Sequence, residues 1–423
     1  MKKAPKTRFS PFQEEWASQR FADAFTVLPN NTLSRAELSD EAGTVKNVHY
    51  GDVLIKFGEY LDAGKTDIPF IASEGLAERW KSAALQDGDV VMADTAEDTT
   101  AGKCTEIGNV RSDTIVSGLH TIPLHPQSKF SEGFLGYYMN SDAFHDQLIP
   151  LMQGTKVTSI SKTYLADTKL CFPPDSAEQA QIAQLLYSLD QMITSQQRKC
   201  EKLIALKAAC LDKMFPKRGS KVPELRFAGF SGDWEPKKLG DVAISFDYGL
   251  NAAAKEFDGV NKYLRITDID DSTRVFRDDD LTSPNTDLSS AGNYLLHEGE
   301  ILFARTGASV GKTYIYKETD GLVFFAGFLI RAKIKSEYDA EFVFQNTLGE
   351  AYNRYIQVTS QRSGQPGVNA QEYAEYSFLL PTYSEQKRIG IFLQQIDNLI
   401  VLHQRKLGKL QQFKQAMMHN MFV

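Results

Sequence analysis

Cysteine is scarce in this chain: four in 423 residues, at Cys104, Cys171, Cys200 and Cys210. No two stand at the C-x2-C spacing of a zinc site, and this usage fits buried thiols in a reducing compartment. The histidines form no H-E-x-x-H pair, so a metal centre has no support. Long hydrophobic runs are missing as well. Nothing approaches the roughly 20 apolar residues of a membrane span, and no membrane partner is expected. The opening MKKAPKTRFSPFQ is basic but is followed by no apolar segment, so it does not read as a secretory signal and predicts a cytoplasmic protein. Positive charge is not in excess either: 47 Lys and Arg stand against 54 Asp and Glu, a net charge of −7. That excludes a sequence-blind coat for nucleic acid, but not a reader whose cations are confined to a few loops.

A catalytic constellation is also lacking. No Ser/His/Asp or Cys/His grouping stands out. Residues 304–316, ARTGASVGKTYIY, resemble a nucleotide-binding loop, yet the first glycine of Gly-x4-Gly-Lys-Thr would fall on Thr306, and Gly307 comes one place late. A phosphate loop must also open a helix, whereas Thr313, Tyr314, Ile315 and Tyr316 read as a strand. The acidic stretch 267–280, TDIDDSTRVFRDDD, fails as a calcium loop, because Thr273 and Asp279 stand where Gly and Glu are required. FPPD at 172–175 reads as a strand ending in prolines before a helix rather than as a methyltransferase motif.

What the chain does have is a second copy of itself. Arg8, Phe9, Phe12, Trp16 and Asp23 recur at one constant offset as Arg226, Phe227, Phe230, Trp234 and Asp241. The block from Phe172 recurs from Leu379, carrying Pro174, Glu178–Gln179, Ile182, Asp190 and Met214–Phe215 onto Pro381, Glu385–Gln386, Ile389, Asp397 and Met421–Phe422. GDVVMADTAEDTTAGKC from Gly88 parallels GEILFARTGASVGKT from Gly299, so Gly102–Lys103 falls on Gly311–Lys312. The Gly-Lys is thus a repeated turn between strands.

Each repeated block predicts a long helix, with Ser176 and Ser384 as caps. Ile182, Leu186, Leu189, Ile193 and Leu203 in the first, with Ile389, Leu393, Ile396, Ile400 and Leu410 in the second, follow the four-and-three spacing of a coiled-coil seam. Cys200, Cys210 and Met214, and Leu407, Met417 and Met421, extend it. At about 1.5 Å per residue such a helix runs roughly 58 Å. Polar residues break both seams at the same places, Gln196 and His403, then Lys207 and Lys414. Two matched helices at the ends of two matched domains predict an antiparallel pair. The rest is strand-like: VHYGDVLIKFGEYL, KYLRITDID, EILFAR, TYIYKE and LVFFAGFLIRAKI. FLGYYMNSDAFHDQLIPLM and EFVFQNTLGEAYNRYIQV predict one amphipathic helix per half. The class expected is α+β, two mostly-β domains related by internal duplication and separated by the long helices. The divisions fall at 1–175, 176–220, 221–383 and 384–423.

Some loops hold cations beside aromatics and amides: Lys262, Tyr263 and Arg265; Arg305, Lys312 and Tyr314; Arg362, Gln365 and Asn369. In the first half the candidates are Lys46, His49, Lys103 and Lys156. These residue types suit phosphate contacts with base-edge readout.

PELRFAGFSGDWEPKKLGDVA at 223–243, GEILFARTGASVGK at 299–312, SGQPGVN at 363–369 and the S-EQ-x2-I opening of each long helix resemble the specificity subunits of type I restriction–modification systems. The resemblance spans essentially the whole chain. It implies two target-recognition domains, each binding one half of a bipartite double-stranded DNA site. It implies conserved helices that set the spacer and dock two methyltransferase subunits and, through them, restriction (motor-nuclease) subunits. It implies no catalytic site and no cofactor on this chain; S-adenosylmethionine, ATP and Mg²⁺ would serve adenine-N6 methylation and cleavage in the partners. Asp94 and Ala96 replace Arg305 and Gly307 in the first half, a departure from the family pattern, so the resemblance does not carry a DNA-contacting role from Arg305 over to Asp94. The competing readings are an enzyme, either a nucleotidase or a nuclease, and a coiled-coil bridge that does not read DNA.

Overall fold

A computed structural model describes residues 4–154, 156–361 and 364–423. The chain forms two compact units, residues 1–195 with 407–423, and residues 196–406. These limits differ from divisions at 175, 220 and 383, because each long helix begins in one unit and ends in the other. The first unit holds the start of helix Ser176–Lys213 and the end of helix Tyr383–Asn420.

In the first unit, strand Ala17–Arg20 pairs antiparallel with Lys169–Phe172. The opening of the repeat is thereby zipped to the segment that leads into its helix. Arg8 donates to both carboxylate oxygens of Glu178, at 2.7 and 2.8 Å, and Trp16 Nε1 reaches the same group at 3.4 Å. The second unit repeats the clasp. Glu235–Lys238 pairs with Ser377–Leu380, and Arg226 holds Glu385 through two 2.7 Å bonds beside buried Trp234. Arginine, tryptophan and glutamate recur in the sequence because a buried carboxylate needs a fixed partner.

Between the clasps each unit carries a mostly antiparallel sheet. The first has the order Phe25–Val27, Thr121–Pro126, Val90–Ala93, Cys104–Gly108, Tyr60–Asp62. The second has Ala243–Tyr248, Leu329–Ile334, Ile301–Ala304, Thr313–Ile315. A parallel pair stands beside each sheet: Lys46–Val48 with Ile115–Ser117, and Lys262–Leu264 with Val323–Phe325.

Three local expectations are corrected. VHYGDVLIKFGEYL is strand–helix–strand: His49 Nδ1 accepts from Gly51 N and caps helix Tyr50–Ile55, with Asp52 in its first turn. Each predicted amphipathic helix is two short ones, Phe134–Met139 and Asp142–His145, then Ala340–Asn346 and Glu350–Thr359. The first break comes where Asn140 turns its amide to both main-chain groups of Cys104 and Ser141 bonds back to Tyr138 O. Neither serine caps its long helix, since Ser176 and Ser384 lie inside; Asp175 Oδ1 takes the Ala177 amide instead.

The seam residues divide between two cores. Ile182, Leu186 and Leu189 pack with Met421 and Phe422, against which Leu410 and Met417 rest. Ile389, Leu393, Ile396 and Ile400 pack with Cys210 and Met214, with Leu203 beside them. Ile193 is half-buried and belongs to neither cluster. Every seam-breaking polar residue has a partner. In the second unit Gln196 meets His403 and Lys207 meets Asp397, so position rises along one helix as it falls along the other, the antiparallel arrangement. In the first unit Lys414 bridges Asp190 at 2.6 Å and Glu59 at 2.8 Å. Burial opposes the Lys414 charge, but the two carboxylates outweigh it and its pKa is raised.

Candidate nucleic-acid interface

The Gly-Lys turns close hairpins. Strand Ile301–Ala304 pairs with Thr313–Ile315, and no helix follows the lysine. Gly311 has φ +84°, and a Cβ there would stand 2.6 Å from Ile356, so backbone conformation and space both demand glycine. Gly102 repeats this, with φ +92° and a Cβ 2.5 Å from Leu148. Lys312 is only 8% exposed. Its ammonium donates to Ile269 O at 3.1 Å and pairs with Asp271 at 2.5 Å, tying the hairpin to the acidic loop and lowering the Asp271 pKa through that bond. Lys103 donates to Leu54 O at 2.7 Å.

Around these hairpins both units build the same main-chain frame. In the second, Arg305 N donates to Phe328 O at 3.1 Å, Arg305 O accepts from Val368 N at 2.9 Å, and Asp268 N donates to Arg265 O at 3.1 Å. In the first, Asp94 N donates to His120 O at 3.1 Å, Asp94 O accepts from Ile160 N at 2.8 Å, and Asp52 N donates to His49 O at 3.0 Å. Arg265, Arg305 and Phe328 therefore occupy the places of His49, Asp94 and His120. Thr306 bridges to Gly367 as strand Thr95–Ala96 pairs with Thr158–Ser159, so the two inner motifs 299–312 and 363–369 meet in space.

In the second unit this frame rims a cleft of about 570 Å³ lined by Tyr248, Asn251, Tyr263, Arg265, Arg305 and Phe328. Phe328 is 61% exposed and Tyr248 45%, which places large apolar surface at the cleft. The Arg305 guanidinium lies 5.2 Å over the Tyr248 ring, and its buried Nε has no hydrogen-bond partner. Arg265 is held bidentately by Asp268, at 2.9 and 2.7 Å. Gln365 lies against Gly307, and Asn369 caps helix Ala370–Ala374 by accepting from Glu372 N at 2.9 Å.

Four of the remaining candidates are committed to partners within the second or first unit. Tyr263 and Tyr314 are buried, with hydroxyls on Leu250 O and on Asp320. Lys262 donates to Asp320 O at 2.6 Å, and Lys46 pairs with Asp113 at 2.6 Å. Lys156 is exposed, in the segment leading to Thr158–Ser159. Arg362 lies outside the described residues. In the first unit the rim is His49, Tyr50, Asp94 and His120. Tyr50 packs on both rings, at 4.7 and 5.2 Å, and His120 Nδ1 lies 3.4 Å from Asp94. Burial lowers the His49 pKa. Tyr248, Asn251, Phe328, Tyr50 and His120 escape the sequence reading. The one signal for Phe328 is its place beside Gly327, where the apolar run LVFFAGFLIRAKI splits into two strands.

Residues 231–412, which hold the whole of this cleft, match the model of the type I restriction modification DNA specificity domain. Over this segment the chain is similar to the type I restriction–modification specificity domain. The specificity subunit of the type I restriction enzyme MjaVIII of Methanocaldococcus jannaschii is 25% identical over 276 residues, 63% of this chain and 64% of that one. The match thus spans less than two thirds of that relative's length. The crystal structure of the S subunit of a type I restriction–modification system from M. genitalium superposes with a TM-score of 0.65 at 14% identity, covering 99% of both chains, which shows the shared fold. No helix among the described residues is long and apolar enough to cross a membrane. No cluster of three or more His, Cys, Asp or Glu side chains fit to hold a metal is found among the same residues.

Proposed function

We propose that this chain is the DNA sequence-recognition subunit of a type I restriction–modification complex. Each unit binds one half of a bipartite site through the side chains carried on its main-chain frame, those at the cleft in the second unit and His49, Tyr50, Asp94 and His120 in the first. The paired helices set the spacer and dock two methyltransferase subunits and, through them, the restriction subunits. Adenine-N6 methylation with S-adenosylmethionine, and ATP- and Mg²⁺-dependent cleavage, belong to those partners; this chain contributes recognition and no catalysis. The observation that carries this reading is one main-chain frame built twice with different rim side chains, as two readers of two different half-sites require. The family domain over residues 231–412 supports it. A net charge of −7 fits a reader whose partners complete the grip on the phosphates.

The test is selection from a pool of random duplexes by the full chain together with methyltransferase subunits. A bipartite sequence with a fixed spacer is expected; enrichment of none would sink the proposal. ATP turnover or DNA cleavage by the chain alone would favour an enzyme instead.

A further inference from the structure

We propose that Arg305 and Asp94, which hold the same place in the two main-chain frames, determine base specificity: Arg305 reads a guanine in one half-site, and Asp94 reads the amino group of a cytosine in the other. This rests on the DNA-recognition reading above.

Both residues leave the frame from a point fixed on two sides by the main-chain bonds to Phe328 and Val368, or to His120 and Ile160. A side chain that must meet a base edge needs such an anchor, because base contacts carry sequence only when their register is set. Among the described cations around the second cleft, Lys312 is committed to Asp271, Lys262 to Asp320 O and Arg265 to Asp268. Arg305 differs: its guanidinium lies 5.2 Å over the Tyr248 ring and its Nε lacks an acceptor. A guanidinium placed over an aromatic ring can present its terminal donors as a planar fork, the geometry that matches guanine O6 and N7. Exposed Phe328 and Tyr248 supply apolar surface for the neighbouring base.

At the same place Asp94 offers only acceptors. Thr95 Oγ1 donates to its Oδ1 at 2.7 Å, and His120 Nδ1 stands 3.4 Å from that same oxygen. These contacts orient the carboxylate and leave Oδ2 for a donor. A carboxylate beside DNA is repelled by phosphate, so a base amino group is its partner, and among base pairs the cytosine N4 amine pairs with Asp in the major groove.

The experiment is the same duplex selection, run with wild type, Arg305→Gln, Tyr248→Leu and Asp94→Asn. Wild type should select a guanine in one half-site and a cytosine in the other. Arg305→Gln should lose preference for that one guanine by roughly tenfold to a hundredfold and leave the other half-site unchanged. Tyr248→Leu, which keeps the arginine but removes its platform, should weaken the same position. Asp94→Asn should exchange the cytosine for an adenine, since Asn matches adenine N6 and N7. A uniform loss over all sequences with Arg305→Gln would mean a phosphate contact and overturn the assignment. An unchanged motif, or a change in both half-sites from one substitution, would overturn it too. If Arg305→Gln does not fold, an unaltered guanine in Tyr248→Leu overturns the Arg305 assignment by itself. Absence of any bipartite motif with wild type overturns the proposed function instead.

Discussion

The two units share their clasps and hairpins, and differ where side chains reach the cleft rim. Arg8–Glu178 and Arg226–Glu385, Gly102–Lys103 and Gly311–Lys312, and the hydrogen bonds at Asp94 and Arg305 are the same device made twice. The rim instead sets His49, Asp94 and His120 against Arg265, Arg305 and Phe328. Main-chain bonds, buried carboxylates and positive-φ glycines tolerate little change, because each leaves an unpaired group or a steric clash when altered. Exposed rim side chains such as Phe328 and His120 can diverge at small cost in stability. A duplicated fold can therefore keep one frame and offer two different surfaces.

The largest expected effect breaks a clasp. Arg226→Ala leaves Glu385, whose side chain is fully buried, without its cation, and should destabilise the second unit by about 3–5 kcal/mol. Arg8→Ala should cost the first unit less, because Trp16 Nε1 still donates to Glu178, whereas Trp234 Nε1 has no partner. Thermal unfolding of both variants checks the order; equal losses would deny that Trp16 cushions the first clasp.

Next come the matched core leucines. Leu186 and Leu393 are both 0% exposed, so Leu→Ala at either should cost about 2–5 kcal/mol, each in its own core. Urea titrations that show one substitution to be nearly silent would contradict the equivalence of the two seams.

The last comparison separates the units by pH. Glu106 in the first unit is buried and accepts from Gly133 N and Gly136 N at 2.6 and 2.9 Å, and Ile315 holds its place in the second. Burial pushes its pKa from 4.5 up to about 7. A pKa raised on folding contributes stability below the unfolded value that is lost as pH rises through the folded one. The first unit should therefore lose up to about 1.4 kcal/mol per pH unit across that window. Glu106→Gln should flatten the slope in thermal melts from pH 4 to 8. An unchanged slope would show that the carboxylate does not titrate there.

Much of this was legible because its causes are local. The heptad spacing from Ile182 and Ile389 put most seam residues in the cores, and the polar breaks at Gln196, Lys207, His403 and Lys414 all acquired partners. The missing glycine at Thr306 and the strand after Lys312 pointed to a hairpin, which is what forms. Expectation and structure part where a short segment has two readings. YGDVLI alternates well enough for a strand but becomes a helix once His49 caps it.

Composition and periodicity by themselves determined the duplication, the two long helices, the mostly-β halves and the glycines of the turns. Each of these is written in neighbouring residues, through φ, alternation and capping. The tertiary structure alone decided which loop side chains remain available. Lys312 is claimed by Asp271, and Tyr263 and Tyr314 are drawn inside, while Tyr248 and Phe328 come to flank Arg305. Those fates depend on partners brought close only when the strands pair, and no local pattern of charge or polarity encodes them.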